Sequence, residues 1–266
     1  MISVLYEDQH LIVVEKPAGI ESQSARGFEE DMVSRIRIHI HKLSTKKSTA
    51  FSTGQPPYVG VIHRLDRPVR GVMVYAKTKK AAALLSAQVQ EGKMRKRYRA
   101  VVCGKPVDNS GTYVDFLLKD CKINCSRIVD KSADGGKLSR LNYRVVDTRE
   151  IEADWKGAIW KGAADTGTAD AAAAQKELLS LVEIELLTGR HHQIRVQMAG
   201  HGTPLYGDAK YGNSPAAGPL ALCAVELVFS HPITGKEMKF NIQEKGGAFD
   251  LFRGSSSEER PSADGL

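Results

Sequence analysis

From residue 97 to residue 243 the sequence keeps returning to short runs of apolar, β-branched and aromatic residues separated by turn formers, with little helical periodicity between them. Strands are expected at 97–102, 112–118, 139–147, 179–187, 221–229 and 237–243. Strands that follow one another through hairpin-like turns need no helical crossover. The pattern therefore points to an α+β fold built on a mainly antiparallel mixed sheet, and argues against a doubly wound one.

The rest of the chain supplies the remaining elements. "SVLYEDQHLIVVEKP" reads as two strands around the turn Glu7-Asp8-Gln9, closed by Pro17-Ala18-Gly19. "EEDMVSRIRIHIHKL" fits either period, and its opening acids and Lys42 near its end favour a helix, with a loop over 44–57. "GVMVYAKT" is a buried strand, after which Thr78 caps the helix "KKAAALLSAQVQEG" and Gly92 ends it. A short helix is expected around Ile194 and Met198, stopped by Gly200 to Gly202. One domain over 1–247 is expected. Residues 152–176, rich in Ala, Gly, Asp and Lys, read as a mobile insertion between two strands, and 248–266 as a disordered tail.

Composition removes several classes. The 42% hydrophobic content is that of a globular protein. No apolar run reaches the ~18 residues of a membrane span, and "MISVLYEDQH" does not look like a secretory leader, so a cytoplasmic protein is expected. Four cysteines read as free thiols, and Cys121 and Cys125 lack the second pair or histidines that zinc needs. The net charge is +7, yet residues 61–105 hold twelve Lys or Arg against Asp66 and Glu91 alone. Such local concentration suggests a polyanionic partner, the competing reading being a solvated basic face.

Two stretches carry chemistry. In "VIHRLDRPVRGVMVYAKT" the carboxylate of Asp66 stands among His63, Arg64, Arg67 and Arg70, just before the buried strand. In "TGRHHQIRVQMAGHGTPLYGD" two arginines, Arg190 and Arg195, and two histidines, His191 and His192, gather at the start of the short helix, where backbone N–H groups favour anions. Neighbouring histidines on a helix point apart, so hydrogen bonding is expected of them rather than a shared metal.

"HRLDRPVRG", then "KRYRAVV", then "TGRHHQIRVQMAGHGTPLYGD", in that order, resemble the RluA-like family of pseudouridine synthases. "VLYEDQHLIVVEKPAGI" is similar to that family's opening hairpin and "FSHPITGKEMKF" to its closing strands, so the likeness spans most of 1–243. It implies the pseudouridine synthase fold with a central basic active-site cleft, and an enzyme that isomerises uridine in ribosomal or transfer RNA without cofactor or metal. On this likeness Asp66 would break the glycosidic bond. Tyr98 would lie against the base and assist proton removal from C5, and Arg195 would pair with the aspartate. Arg64 would help fill the gap left by the everted uridine, and His63, Arg67, Lys96, Arg190 and His192 join it as expected RNA contacts. A monomer is expected.

Alternatives stay open at this point. Asp66 could serve a structural ion pair, Tyr98 could be an ordinary half-buried strand tyrosine, and Arg190 could take the place of Arg195. A non-catalytic RNA-binding protein or folding helper on the same scaffold would keep the charge but not need all three residues. A carboxylate-dependent hydrolase would need a second acid, and none accompanies Asp66 in these motifs. The chain departs from many relatives in carrying Val69-Arg70 where they place Thr-Ser, and it is expected to lack the N-terminal S4 RNA-binding domain found in many of them. RNA selection would then rest on the catalytic domain or the insertion.

Overall fold

The computed structural model describes residues 2–24, 30–47, 56–152, 176–212 and 218–254. The insertion at 152–176 falls almost entirely outside them. Two compact units, interleaved in sequence, divide the stretch expected as one domain: Met1–Tyr98 with Glu185–Thr188 and Leu222–Gln243, and Arg99–Ile184 with Gly189–Ala221 and Glu244–Leu266.

The first unit opens with β1 (Ser3–Glu7) and β2 (Leu11–Lys16), an antiparallel hairpin around the expected turn. Asp8 fixes that turn by accepting from the backbone N–H groups of His10 and Leu11. Helix α1 (Met32–Lys47) follows. Asp31 precedes it and caps it by accepting from Ser34 N–H at 2.7 Å, so the acids do open the helix. It runs to Lys47, further into the expected loop than the polar composition indicated. After the two-residue β3 (Gly60–Val61) comes β4 (Arg70–Ala76), antiparallel to β2 with Leu11 opposite Ala76 and Lys16 opposite Gly71.

Thr78 Oγ1 accepts from Ala81 N–H and starts α2 (Lys79–Gln90) as expected, and Gly92, at φ +69°, lies just past its end. Two C-terminal strands complete this unit: β10 (Leu222–Ser230) parallel to β4, and β11 (Glu237–Asn241) antiparallel to β10. One face of this sheet, through Leu11, Val13, Val72, Val74, Leu227 and Phe229, packs with Ala81 and Leu85 of α2. Alternation sends Ile12, Val14, Lys16, Met73 and Tyr75 to the other face. Gly71 has a steric reason: a Cβ there would sit 2.4 Å from that of Ala224 on β10.

The division between units falls inside β5 (Arg95–Cys103). In the second unit the strand order is β5, β9 (Lys176–Leu186), β8 (Lys137–Glu152), β6 (Ser110–Asp120), β7 (Cys125–Val129). Both β7 and β8 are antiparallel to β6. Neither β7 nor β3 was legible in the sequence. The α+β class and mixed sheet stand: antiparallel pairs dominate, and β4 with β10 is parallel. Helix α3 (Gln193–Gly200) packs on β6 and β7 and buries Ile194, Val196 and Met198. The expected tail needs correction at its start. Gly247–Phe252 form a 3-10 turn that buries Ala248, Phe249 and Phe252, apolar side chains that have a core to enter; 255–266 lie outside the described residues.

Candidate active site

In the first unit the loop between β3 and β4 carries Asp66, and backbone contacts hold it on the face opposite α2. Ser22 Oγ donates to Leu65 O at 2.8 Å and accepts from Leu65 N–H at 3.0 Å. Val69 N–H closes a turn onto Asp66 O at 3.0 Å, and Gly19 N–H donates to Arg67 O at 2.8 Å.

Beneath this loop lies Lys16, wholly buried, whose ammonium donates to Ile20 O at 2.6 Å, Pro17 O at 2.9 Å and Arg67 O at 3.2 Å. Burial pulls its pKa down to about 8 against the opposing pull of the Asp66 carboxylate. A cation is thus built in beneath the candidate nucleophile. The sequence reading passed over it, although a lysine closing an otherwise apolar strand was the available signal.

Tyr98 is buried, and its phenol is pushed up first by burial and then by Asp66 and Cys223. It remains a neutral O–H at physiological pH. Asp66 and Tyr98 therefore do share one neighbourhood.

His63 is a different matter. Its Nε2 accepts from Val74 N–H at 3.2 Å, its Nδ1 is shielded from water with no hydrogen-bond partner, and burial, then the Lys96 charge, pulls its pKa to about 3. A neutral ring fastened to the backbone offers no charge to a phosphate. Arg64 and Arg67 are exposed, Arg67 donating from Nε to Gly19 O at 3.1 Å. Arg70, the departure from many relatives, is answered within the fold. Its Nε donates to Glu15 at 2.6 Å and its Nη1 to Gln243 O at 2.8 Å.

In the second unit Arg195 is buried in α3 and grips Asp208 with two hydrogen bonds, Nε to Oδ2 at 2.8 Å and Nη2 to Oδ1 at 2.6 Å. The Tyr211 ring centroid lies 5.1 Å from its guanidinium carbon. Burial alone would raise the Asp208 carboxyl, but the hydrogen bonds and charge of Arg195, with Lys210 and Tyr211 N–H, hold it below the usual range. Asp208 is a second residue the sequence reading quoted without assigning.

Arg190 is exposed and donates from Nε to Leu138 O at 3.0 Å. His192 is buried at φ +54°, shares a 2.7 Å hydrogen bond with the Tyr211 hydroxyl, and is pulled to about 4 by burial, Arg195 and Lys210. The expectation that His191 and His192 point apart is corrected. The helix begins only after them, and the left-handed turn at His192 stacks the rings 3.7 Å apart.

Two histidines held neutral give a pH prediction. In the unfolded chain both take up protons below about pH 6.5, while the folded protein refuses them down to about 4 and 3. Stability is then full above about pH 6.5 and falls on acidification, by a few kcal/mol in order of magnitude. Urea denaturation from about pH 7.5 to about pH 4.5 should show this decline, reduced in His192→Asn; an unchanged slope in the variant would contradict it.

The basic segment is less free than its composition suggests. Of the twelve cations in 61–105, six meet carboxylates: Arg70 with Glu15, Lys77 with Glu7, Lys93 with Glu91, Arg95 with Glu237, Arg97 with Glu226 and Arg99 with Glu183. Arg95, Arg97 and Arg99 alternate along β5 and face away from Lys96 and Tyr98.

The sequence pattern of the family described as RNA pseudouridylate synthase matches residues 10–200 of this chain. The chain belongs to that family. The synthase is 32% identical over 253 residues to the ribosomal large subunit pseudouridine synthase D of Zymomonas mobilis, covering 91% of this chain and 69% of that protein. To the protein of the same name from Pseudomonas aeruginosa it is 29% identical over 255 residues, covering 90% and 67%. Its fold is similar to that of human RNA pseudouridylate synthase domain containing 4, with a TM-score of 0.66 at 19% identity over 94% of this chain and 90% of that one. The resemblance of the motifs is borne out, and the synthase is an enzyme that isomerises uridine in RNA to pseudouridine. Among the described residues no helix is long and apolar enough to cross a membrane.

Proposed function

We propose that this synthase modifies specific uridines of large-subunit ribosomal RNA in the cytoplasm, working as a monomer, and that Asp66 carries out the chemistry. The relatives named for the large ribosomal subunit support the substrate. The single observation that best supports the role of Asp66 is its position on a loop tied to the buried Lys16, close enough to act on both that ammonium and the Tyr98 phenol.

The reaction is an isomerisation, so its atoms balance within the nucleotide. The everted uridine presents its ribose to the Asp66 carboxylate, which acts at C1′ or C2′ as the N1–C1′ bond breaks. The freed uracil turns, C5 bonds to C1′, the C5 proton leaves, and N1 takes up a proton. Tyr98 packs against the turning base and enters the reaction as a neutral phenol, so any proton it accepts from C5 requires it to give up its own. The family likeness gives Arg195 a part in the reaction, and its guanidinium is held in place by two hydrogen bonds to Asp208. Arg64, Arg67 and Arg190 are exposed cations that hold the RNA. Flipping the nucleotide costs a few kcal/mol, which phosphate contacts offset.

Pseudouridine mapping of total RNA from cells with and without the gene tests the proposal. A site in large-subunit ribosomal RNA should vanish on deletion and return with the wild-type gene. Loss confined to a transfer RNA would overturn the substrate, and restoration by Asp66→Asn would overturn the role of the aspartate.

A further inference from the structure

Once ion pairs are accounted for, Lys96 stands apart from the other cations of 61–105. Among the others in the described residues, Arg64, Arg67, Lys79, Lys80 and Lys105 are exposed, whereas Lys96 is not. Lys96 is half-buried, and its side chain makes no hydrogen bond or ion pair among the described residues. It lies two residues before Tyr98 on the same face of β5, and its charge reaches His63, three residues before Asp66. Its partial burial disfavours the charged form.

An ammonium without a partner on that face can take an anion, which must reach the face that bears Tyr98. Asp66 serves the ribose, so the natural complement is a phosphodiester of the same RNA strand, close to the everted nucleotide. We propose that Lys96 is the binding site for one backbone phosphate next to the target uridine, a fixed point against which the nucleotide turns out of its stack. The exposed Arg64 and Arg67 give general attraction, whereas a half-buried ammonium fixed beside Tyr98 gives a positioned contact. This proposal rests on the reading that Asp66 and Tyr98 receive the flipped uridine.

The test uses the full chain, in vitro transcribed large-subunit ribosomal RNA, and a synthetic fragment spanning the mapped uridine. Lys96→Met should fold and be at least as resistant to heat as the wild type, because it removes an unpaired ammonium. Its RNA binding should weaken about tenfold at low salt, and the slope of log affinity against log salt should fall by about 0.7 to 0.9, the share of one phosphate. Lys96→Arg should keep the slope. A neutral methylphosphonate at one phosphate beside the uridine should weaken wild-type binding and leave Lys96→Met unaffected. An unchanged slope in Lys96→Met, or equal sensitivity of both proteins to methylphosphonate at every neighbouring position, would overturn the proposal. So would stabilisation of the wild type alone by millimolar inorganic phosphate without any change in RNA slope, which would mark a site for a free anion. Wild-type protein that forms no pseudouridine in any RNA would instead sink the reading on which this one rests.

Discussion

Asp66→Asn should lower single-turnover pseudouridine formation by about 10⁴-fold or more, while RNA affinity stays within about threefold and thermal stability within a degree or two. The substitution keeps shape and removes only the charge and nucleophilicity of the carboxylate. Because Lys16 lies beneath the same loop, losing the acid leaves a buried ammonium less well balanced, and the Lys16 pKa should drop further below about 8. Quench-flow measurement on unmodified large-subunit RNA, with binding followed separately, separates the two effects. A variant that still turns over at a tenth of the wild-type rate would remove Asp66 from the chemistry.

The second large effect concerns Arg195 and Asp208. Arg195→Met strands the Asp208 carboxylate, which has no side-chain exposure, and should destabilise the protein by about 3–5 kcal/mol. Asp208→Asn should also destabilise, since it removes the carboxylate charge that two Arg195 hydrogen bonds reach. Combining the two removes both charges and should recover much of the loss, because the desolvation that one partner imposes alone disappears with the other. Urea denaturation of the four proteins forms the cycle. Activity then decides the role of Arg195: the double variant should fold yet make pseudouridine at least about 10²-fold more slowly. A folded double variant with normal turnover would leave Arg195 a structural residue only.

Local signals in the sequence carried much of the fold. The cap at Thr78, the stop at Gly92 and the alternation of Tyr98, Ala100 and Val102 each depend on neighbours within a few positions, and each appears in the structure. β7 escaped because Cys125-Ser126-Arg127-Ile128-Val129 alternates too weakly to announce a strand, its pairing with β6 being tertiary. The same divide runs through the site. Asp66 stood out from the residues around it, but the acids that answer Arg70, Arg97 and Arg99 come from Glu15, Glu226 and Glu183, far along the chain. A count of charges in one segment could not see them. Hydrogen bonding within the protein or to a phosphate was expected of His192, and its left-handed backbone and bond to Tyr211 supply the first of these, which no helical spacing could have indicated. Lys16 went unremarked because burying a lysine is worthwhile only when three carbonyls converge on it, and convergence is a property of the folded chain.

The arginines on alternate positions of β5 have an implication for how the protein searches. Glu237, Glu226 and Glu183 answer them, but Glu226 is shared with Lys239 and Glu183 with Arg144, so these charges are offset only in part despite the isoelectric point of about 9.2. A transcript landing there should be held more weakly than the number of arginines alone implies. Partial offsetting of charge along one strand thus shapes where a polyanion settles before any nucleotide is read.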